Sequence, residues 1–303
     1  MTAYVYYSTD ASAPTLANVA GQLVTVFDNC LVAGYSGRTP AGWTKPYTST
    51  NIADFKAASG NAMYLWMDDS NTAYARLRGY QAMSAHTTGT DPFPTDAQVS
   101  GGLYMHKNAG AGTKLWMMNA NGSALNFWVD FGADNGLSGH WCYFGDLADK
   151  TYSSDAWHTL LMANASATAT STNVYTLTAL LGSNTGGHYM PRRYNATGTC
   201  INVGKHSDQS RTGTTVGAGS MPYPHAPDQK MYVAPLWVHQ YVAAADVHIR
   251  GRMQGVWVPL HNKPLSNWDT FSGTAGTALE DKTFIAVNIY NVGQILLETS
   301  NTW

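Results

Sequence analysis

The sequence predicts an α+β, β-rich fold: antiparallel sheets or a sandwich, with one N-terminal amphipathic helix at about residues 14–33 packed on a sheet. Three observations carry this expectation. Apolar and aromatic residues alternate with small or polar ones in short runs along most of the chain. Asn121-Gly122 separates two such runs, and this dipeptide is the strongest short-range hairpin signal. A single segment keeps apolar residues at helical spacing over several turns: Leu16, Val19, Ala20, Leu23, Val24, Phe27 and Leu31.

The elements follow in order. Residues 3–7 read as a short strand. Ser12-Ala13-Pro14 supplies a helix start, with Ser as N-cap and Pro in the first turn, and Gly34 supplies the stop. Residues 35–48 read as a Gly-, Pro- and aromatic-rich loop. Met63–Met67 and Ala73–Arg78 form a hairpin about a polar turn at Asp68–Asn71, with Tyr74, Arg76 and Arg78 on one face and Ala75 and Leu77 on the other. Lys114–Met118 and Ala124–Val129 flank Asn121-Gly122, for which a type I′ turn is expected. Trp141–Phe144 is a further strand, and Trp141 and Tyr143, which flank Cys142, suggest a sheet packed on both sides. Val174–Leu181, Met231–His239, Val247–Leu260 and Phe284–Glu298 complete the strands, the last split by Asn291-Val292-Gly293. Residues 204–228 read as a long loop, a natural interaction arm. Residues 1–303 read as a single compact β-rich unit, with a subdivision into 1–165 and 174–303 about a polar Ala/Ser/Thr/Asn tract at 163–173 left open.

Composition narrows the function classes. The chain has 303 residues, of which 44% are hydrophobic and only 12% charged, about half the usual charged share. Gly, Ser, Thr, Asn and Ala replace the missing charge, which suits sheets, loops and subunit contacts. A net charge of −2 provides no field to attract nucleic acid, and Arg192-Arg193 is the densest basic pair. The three cysteines, Cys30, Cys142 and Cys200, are far apart, so buried free thiols in a chain made in a reducing cytoplasm are expected. The N-terminus shows neither a basic n-region nor an apolar h-region, so no signal peptide is expected. No run of 18 apolar residues exists, so no membrane insertion is expected.

Catalytic chemistry finds little support. Glu280 and Glu298 are the only glutamates, and no pair among the aspartates stands out for glycosidase work; Asp68-Asp69 is expected to cap its turn. No HExxH, no clustered Cys/His spacing, no GxSxG and no phosphate loop is present. Asp130–Gly136 places oxygen donors at alternate positions, a weak likeness to a calcium loop that lacks the bidentate Glu; an ordinary Asp/Asn/Gly loop is the simpler reading. His140 and Cys142 share a strand face, but a structural thiol is expected. No catalytic, cofactor-binding or metal residue is assigned, and no cofactor.

Four segments carry a resemblance. They are Ser8–Leu16, followed by the helix and Gly34-Tyr35-Ser36-Gly37; Ala41–Tyr47; Tyr143-Phe144-Gly145-Asp146; and Arg250–Gly255, leading to Val258-Pro259-Leu260-His261. In this order, across nearly the whole chain, they resemble a family of uncharacterised structural proteins of tailed bacteriophages. Met253-Gln254 stands where the family pattern has Leu-Pro. The resemblance implies a non-enzymatic virion component, in tail, neck, baseplate or head surface, whose partners are copies of itself and other virion proteins. The alternative is a glycan-binding module of a phage adhesion device, contacting host surface glycan through Trp43, Trp66, Trp128 and Trp141.

Overall fold

The computed structural model describes residues 2–107, 112–132, 139–166, 187–206, 211–212, 215–216, 231–243, 246–260, 265–289 and 293–303. Its framework is a stack of three antiparallel sheets. The central, seven-stranded sheet has the order β1 (Tyr4–Tyr7), β9 (Leu115–Ala120), β10 (Ala124–Asp130), β11 (Gly139–Asp146), β12 (Thr159–Met162), β13 (His188–Met190) and β14 (Ile201–Asn202). A five-stranded sheet covers one face, in the order β2 (Thr44–Ser49), β3 (Ile52–Lys56), β4 (Tyr64–Asp68), β5 (Tyr74–Tyr80) and β8 (Leu103–His106). A six-stranded sheet covers the other, in the order β15 (Gly204–His206), β18 (Val233–Ala243), β19 (Asp246–Pro259), β22 (Gly293–Glu298), β21 (Thr283–Ile289) and β20 (Thr270–Ser272). Two small ladders, β6 (Ala82–Ala85) with β7 (Thr88–Thr90) and β16 (Arg211–Thr212) with β17 (Thr215–Val216), stand apart from these.

Strand alternation assigns the central sheet to two cores. Along β9 to β12, Trp116, Met118, Leu125, Phe127, Cys142, Phe144 and Leu161 point toward the five-stranded sheet and its Phe55, Leu65, Leu77 and Met105. Their neighbours Met117, Trp128, Trp141, Tyr143, Leu160 and Met162 point the other way, toward Leu236, Val238, Met253, Val256 and Leu297. Every residue of β11 is consequently buried, as a layer covered on both faces requires.

The expected helix is shorter than 14–33. α1 spans Gln22–Asp28 and continues as one π-type turn, Asn29–Ala33, to Gly34 at φ 77°. Residues 14–21 are not helical because their carbonyls serve other partners. Pro14 O accepts Trp116 Nε1, Leu16 O accepts Lys114 N, and Val19 O accepts Lys107 Nζ. Apolar periodicity there reflects core burial of Leu16 and not an i to i−4 ladder. Phe27 does pack the helix on sheet, with its ring against both Phe55 and Phe127 at 5.9 and 5.1 Å.

Two further expectations need correction. The loop expected at 35–48 ends at Gly42-Trp43, since Thr44–Ser49 is a strand. Its register on β3 shifts between Thr44 and Tyr47, where Pro46 lacks a ladder donor. The Asn121-Gly122 hairpin forms as expected, with Ala120 opposite Leu125, but not through a type I′ turn: neither residue has positive φ. Instead Asn121 Oδ1 accepts Ser123 N and Ala124 N at 2.8 and 2.9 Å, a side-chain-capped turn. The strand expected at Val174–Leu181, most of the 163–173 tract and most of 204–228 lie outside the described residues.

Candidate functional site

Most polar groups that could suggest chemistry are committed to architecture. Asp68 and Asp69, at the end of β4, point in opposite directions, as successive strand residues must. Asp68 Oδ1 accepts Ser70 N at 3.0 Å, the turn-capping role expected for it. Asp69 turns inward to a fully buried ion pair with Lys107 at 2.6 Å. It also accepts Leu23 N at 2.7 Å, tying the first turn of α1 to β4. Burial pushes the Asp69 carboxyl up to about 6 and the Lys107 ammonium down. Sequence reading missed this pair; the signal available was alternation, which sends one of two adjacent Asp into the core.

Asp146 collects Asn61 N at 2.7 Å and the Thr159 hydroxyl at 2.5 Å, fastening the loop before β4 to β11 and β12. His140 and Cys142 lie in the core, with the thiol pushed up by burial. The His140 Nδ1 accepts His106 N at 3.1 Å, and its ring stacks on Phe131, which directs the imidazole to architecture. Cys30, Cys142 and Cys200 are buried free thiols. Asp130 spends its carboxylate on Gly132 N and Trp268 Nε1, at 2.8 and 3.0 Å; residues 133–138 of the calcium-like segment lie outside the described residues. Among the described residues no group of three His, Cys, Asp or Glu is placed to hold a metal ion, and no helix is long and apolar enough to cross a membrane.

The four tryptophans considered for sugar stacking are all buried. Trp43 and Trp141 direct their indole N–H groups to Asn121 O and Asn126 Oδ1, and Trp128 packs edge-on to Trp268. That set is corrected: Trp43, Trp128 and Trp141 are core residues, and Trp66, on the outer face of the five-stranded sheet, is covered by Met83 and Tyr80.

Among the described residues, two surfaces are left uncovered by neighbouring strands. The first is the distal part of the β18–β19 hairpin. β18 pairs outward with β15 only through Trp237, Val238 and His239, while β19 pairs outward with β22 only at Val256 and Trp257 and with Ala148 at Arg252. Gln240–Ala243 and Asp246–Ile249 pair with each other, and among the described residues no third strand satisfies their outer edges. Ile249 is 47% exposed there. The base of this arm is tied to neighbouring segments by Arg250. Arg250 makes a fully buried, two-pronged ion pair with Asp155 and also donates to Gln240 Oε1 at 2.6 Å. Beside it Tyr152 stacks on Tyr194 at 4.3 Å and hydrogen-bonds His248 Nδ1 at 2.6 Å. Arg192, from the expected basic pair, is paired with Asp91 at 2.8 Å and lies over the Trp157 ring.

The second surface is the outer face of the five-stranded sheet. Direct cross-strand register sets Ile52, Asp68, Arg76 and Tyr104 in one row, and Tyr47, Asp54, Trp66 and Arg78 in the next. The β6–β7 ladder covers part of it, packing Met83 on Trp66 and Tyr80. Toward the β4–β5 turn the face stays open as a pocket of about 350 Å³ lined by Asp68, Ser70, Asn71, Tyr74 and Arg76.

No family model matches the chain, and comparison with curated proteins finds no match either.

Proposed function

We propose that the chain is a structural component of a tailed-bacteriophage particle, assembling with copies of itself and with other virion proteins, and working by contact and not by turnover. One observation carries this reading: among the described residues, the distal β18–β19 arm presents strand edges that no third strand pairs, above a base fastened by the buried Arg250–Asp155 ion pair. Open edges invite pairing with another chain, and main-chain pairing with alternate side-chain contacts is an established mode of protein recognition. The contrast with β2 sharpens the point. That edge strand is blunted by Pro46 and by Lys45, which is ion-paired with Asp28 at 2.7 Å, whereas Asp246–Ile249 has no proline and exposes Ile249. The low charge of the chain limits repulsion among crowded copies. The four segments that resemble tailed-phage structural proteins supply the particle.

The experiment has two parts. Mass spectrometry and electron microscopy of the particle encoded alongside this chain are expected to find it in symmetric copies; a purified particle without the polypeptide would refute the reading. In solution, sedimentation of the intact chain is compared with a variant in which Val247 and Ile249 are both replaced by Pro. The variant is expected to lose self-association or co-assembly while keeping its strand circular dichroism, and unchanged association would remove the arm from the proposal.

A further inference from the structure

We infer that the pocket at the β4–β5 turn is a binding site for one unit of a neutral saccharide. This site is separate from the assembly arm and uses none of the four buried tryptophans. Its volume of about 350 Å³ lies at the lower end of small-ligand pockets, enough for a single sugar ring. Its walls hold both kinds of hydrogen-bonding group in fixed positions. Asp68 is nearly buried and is oriented by the amide and hydroxyl of Ser70, with Arg76 Nη2 against its Oδ2 at 2.6 Å. Each Asp68 oxygen already holds a hydrogen bond, the carboxylate keeps a further lone pair, and Arg76 keeps N–H donors beyond the one given to Asp68, so acceptor and donor groups lie side by side where vicinal hydroxyls of a sugar can span them.

The Arg76 side chain is 42% exposed, and a pair of this kind contributes little to stability, so folding alone gives weak reason for it. Room for Arg76 to lie there comes from Gly101. That residue adopts φ +76°, and a Cβ on it would come within 2.8 Å of Arg76 Nη1. Tyr74 adds the ring. It is held edge-on by Tyr104 at 5.0 Å and by His106 at 6.0 Å, so little side-chain freedom is left to lose on binding. One positive and one negative group already neutralise each other, so a charged ligand gains no net attraction, while a polyhydroxylated neutral one finds partners for both its donors and its acceptors.

The test uses the full chain with D-glucose, D-galactose, L-rhamnose and N-acetyl-D-glucosamine as free probes, read by saturation-transfer NMR, with acetate and phosphate as charged controls. At least one sugar is expected to bind saturably and without dependence on ionic strength. Tyr74→Ala and Arg76→Ala should each weaken it by about tenfold or more, as loss of an anchoring contact does, while Tyr74→Phe should retain it; circular dichroism of each variant reports folding. If Arg76→Ala fails to fold, Arg76→Lys takes its place. Three results overturn the site: no probe sugar binds the folded protein, binding survives both alanine substitutions, or only the ions bind.

Discussion

Arg250 and Asp155 form an ion pair with no solvent exposure on either side chain, Nε to Oδ2 at 2.6 Å and Nη2 to Oδ1 at 2.8 Å. The guanidinium also donates to the carbonyls of Trp157 and Arg192 and to Gln240 Oε1. One side chain on β19 therefore binds the 155–157 loop, the 192–194 segment and β18 at the point where the distal arm departs. A charge so deeply buried is tolerable only when its donors are filled, and here five hydrogen bonds fill them.

Removing one partner should expose that dependence. Arg250→Met is expected to lower unfolding free energy by about 3–5 kcal/mol, because Asp155 is left buried and uncompensated. Arg250→Met combined with Asp155→Leu should recover a large part of that loss. Urea denaturation followed by tryptophan fluorescence measures both. A single substitution that costs no more than a surface one would show that water reaches the pair.

Strand alternation made much of this fold legible. Trp141, Cys142, Tyr143 and Phe144 are apolar or aromatic at both parities, and that is the mark of a strand covered on two faces; β11 is in the middle sheet of the three-sheet stack. The Tyr74–Arg78 face assignment also holds, with Ala75 and Leu77 inward. What alternation cannot give is which backbone groups find distant partners. Leu16 and Val19 fit a helical stripe, yet their carbonyls bond Lys114 and Lys107 from far along the chain. Asn121 signals a hairpin, but its side chain caps the turn while its carbonyl and side-chain amide bond Trp43 and Gln254 from far along the chain. The arm and the pocket were not legible for the same reason: each is defined by what neighbouring strands leave uncovered, a property of sheet order and not of local sequence.

Acid should act on the buried histidine pair. Burial lowers His106 to about 4 and also holds His140 well below its usual range, against about 6.5 for the unfolded chain. The unfolded state then takes up protons first as pH falls, so the stability that neutral His106 contributes is complete above pH 6.5 and is lost progressively down to its folded value. For His106 the loss is about 3 kcal/mol. Asp69, pushed up to about 6, works in the opposite direction over much of the same range, so the native profile alone mixes the two. The stability of the native chain minus that of His106→Gln, measured at pH 7.5 and at pH 4, isolates the histidine. The difference should shift by about 3 kcal/mol against the native chain on acidification; a flat difference would mean that His106 stays solvated.

The Gln254 side chain joins the turn of one hairpin to the neighbouring sheet. Its Oε1 accepts Asn121 Nδ2 at 2.8 Å, and its Nε2 donates to the Asp146 carbonyl at 2.7 Å and to Ser123 Oγ at 3.2 Å. Gln254→Leu roughly keeps the volume but strands Asn121 Nδ2, at a cost of about 1–3 kcal/mol, whereas the Asp146 carbonyl keeps the Tyr143 hydroxyl and Ser123 Oγ keeps Asn121 Oδ1. A fall of about 1–3 kcal/mol in chemical denaturation is expected. Gln254→Glu should be no better, since it places a second carboxylate near Asp146 and gives up the donor. Stability unchanged in Gln254→Leu would show that the turn is held without it.

Gly79 on β5 lies beneath the Phe93 ring, and the two residues exchange backbone hydrogen bonds at 2.9 Å in both directions. A Cβ on Gly79 would stand 2.3 Å from two atoms of that ring. Phe93 is fully buried and stacks on Phe144 of the central sheet at 6.2 Å, so it has no free side to move into. Gly79→Ala must therefore displace either the ring from the core or the 93–94 segment from the strand, and overpacking of this kind costs about 1–3 kcal/mol. The same glycine substitution in a Phe93→Leu background should cost less than in the native chain, because the smaller side chain yields the space. Thermal unfolding of the four proteins in this cycle measures the coupling directly. If the two substitutions simply add, the contact between Gly79 and Phe93 is not what makes glycine necessary there.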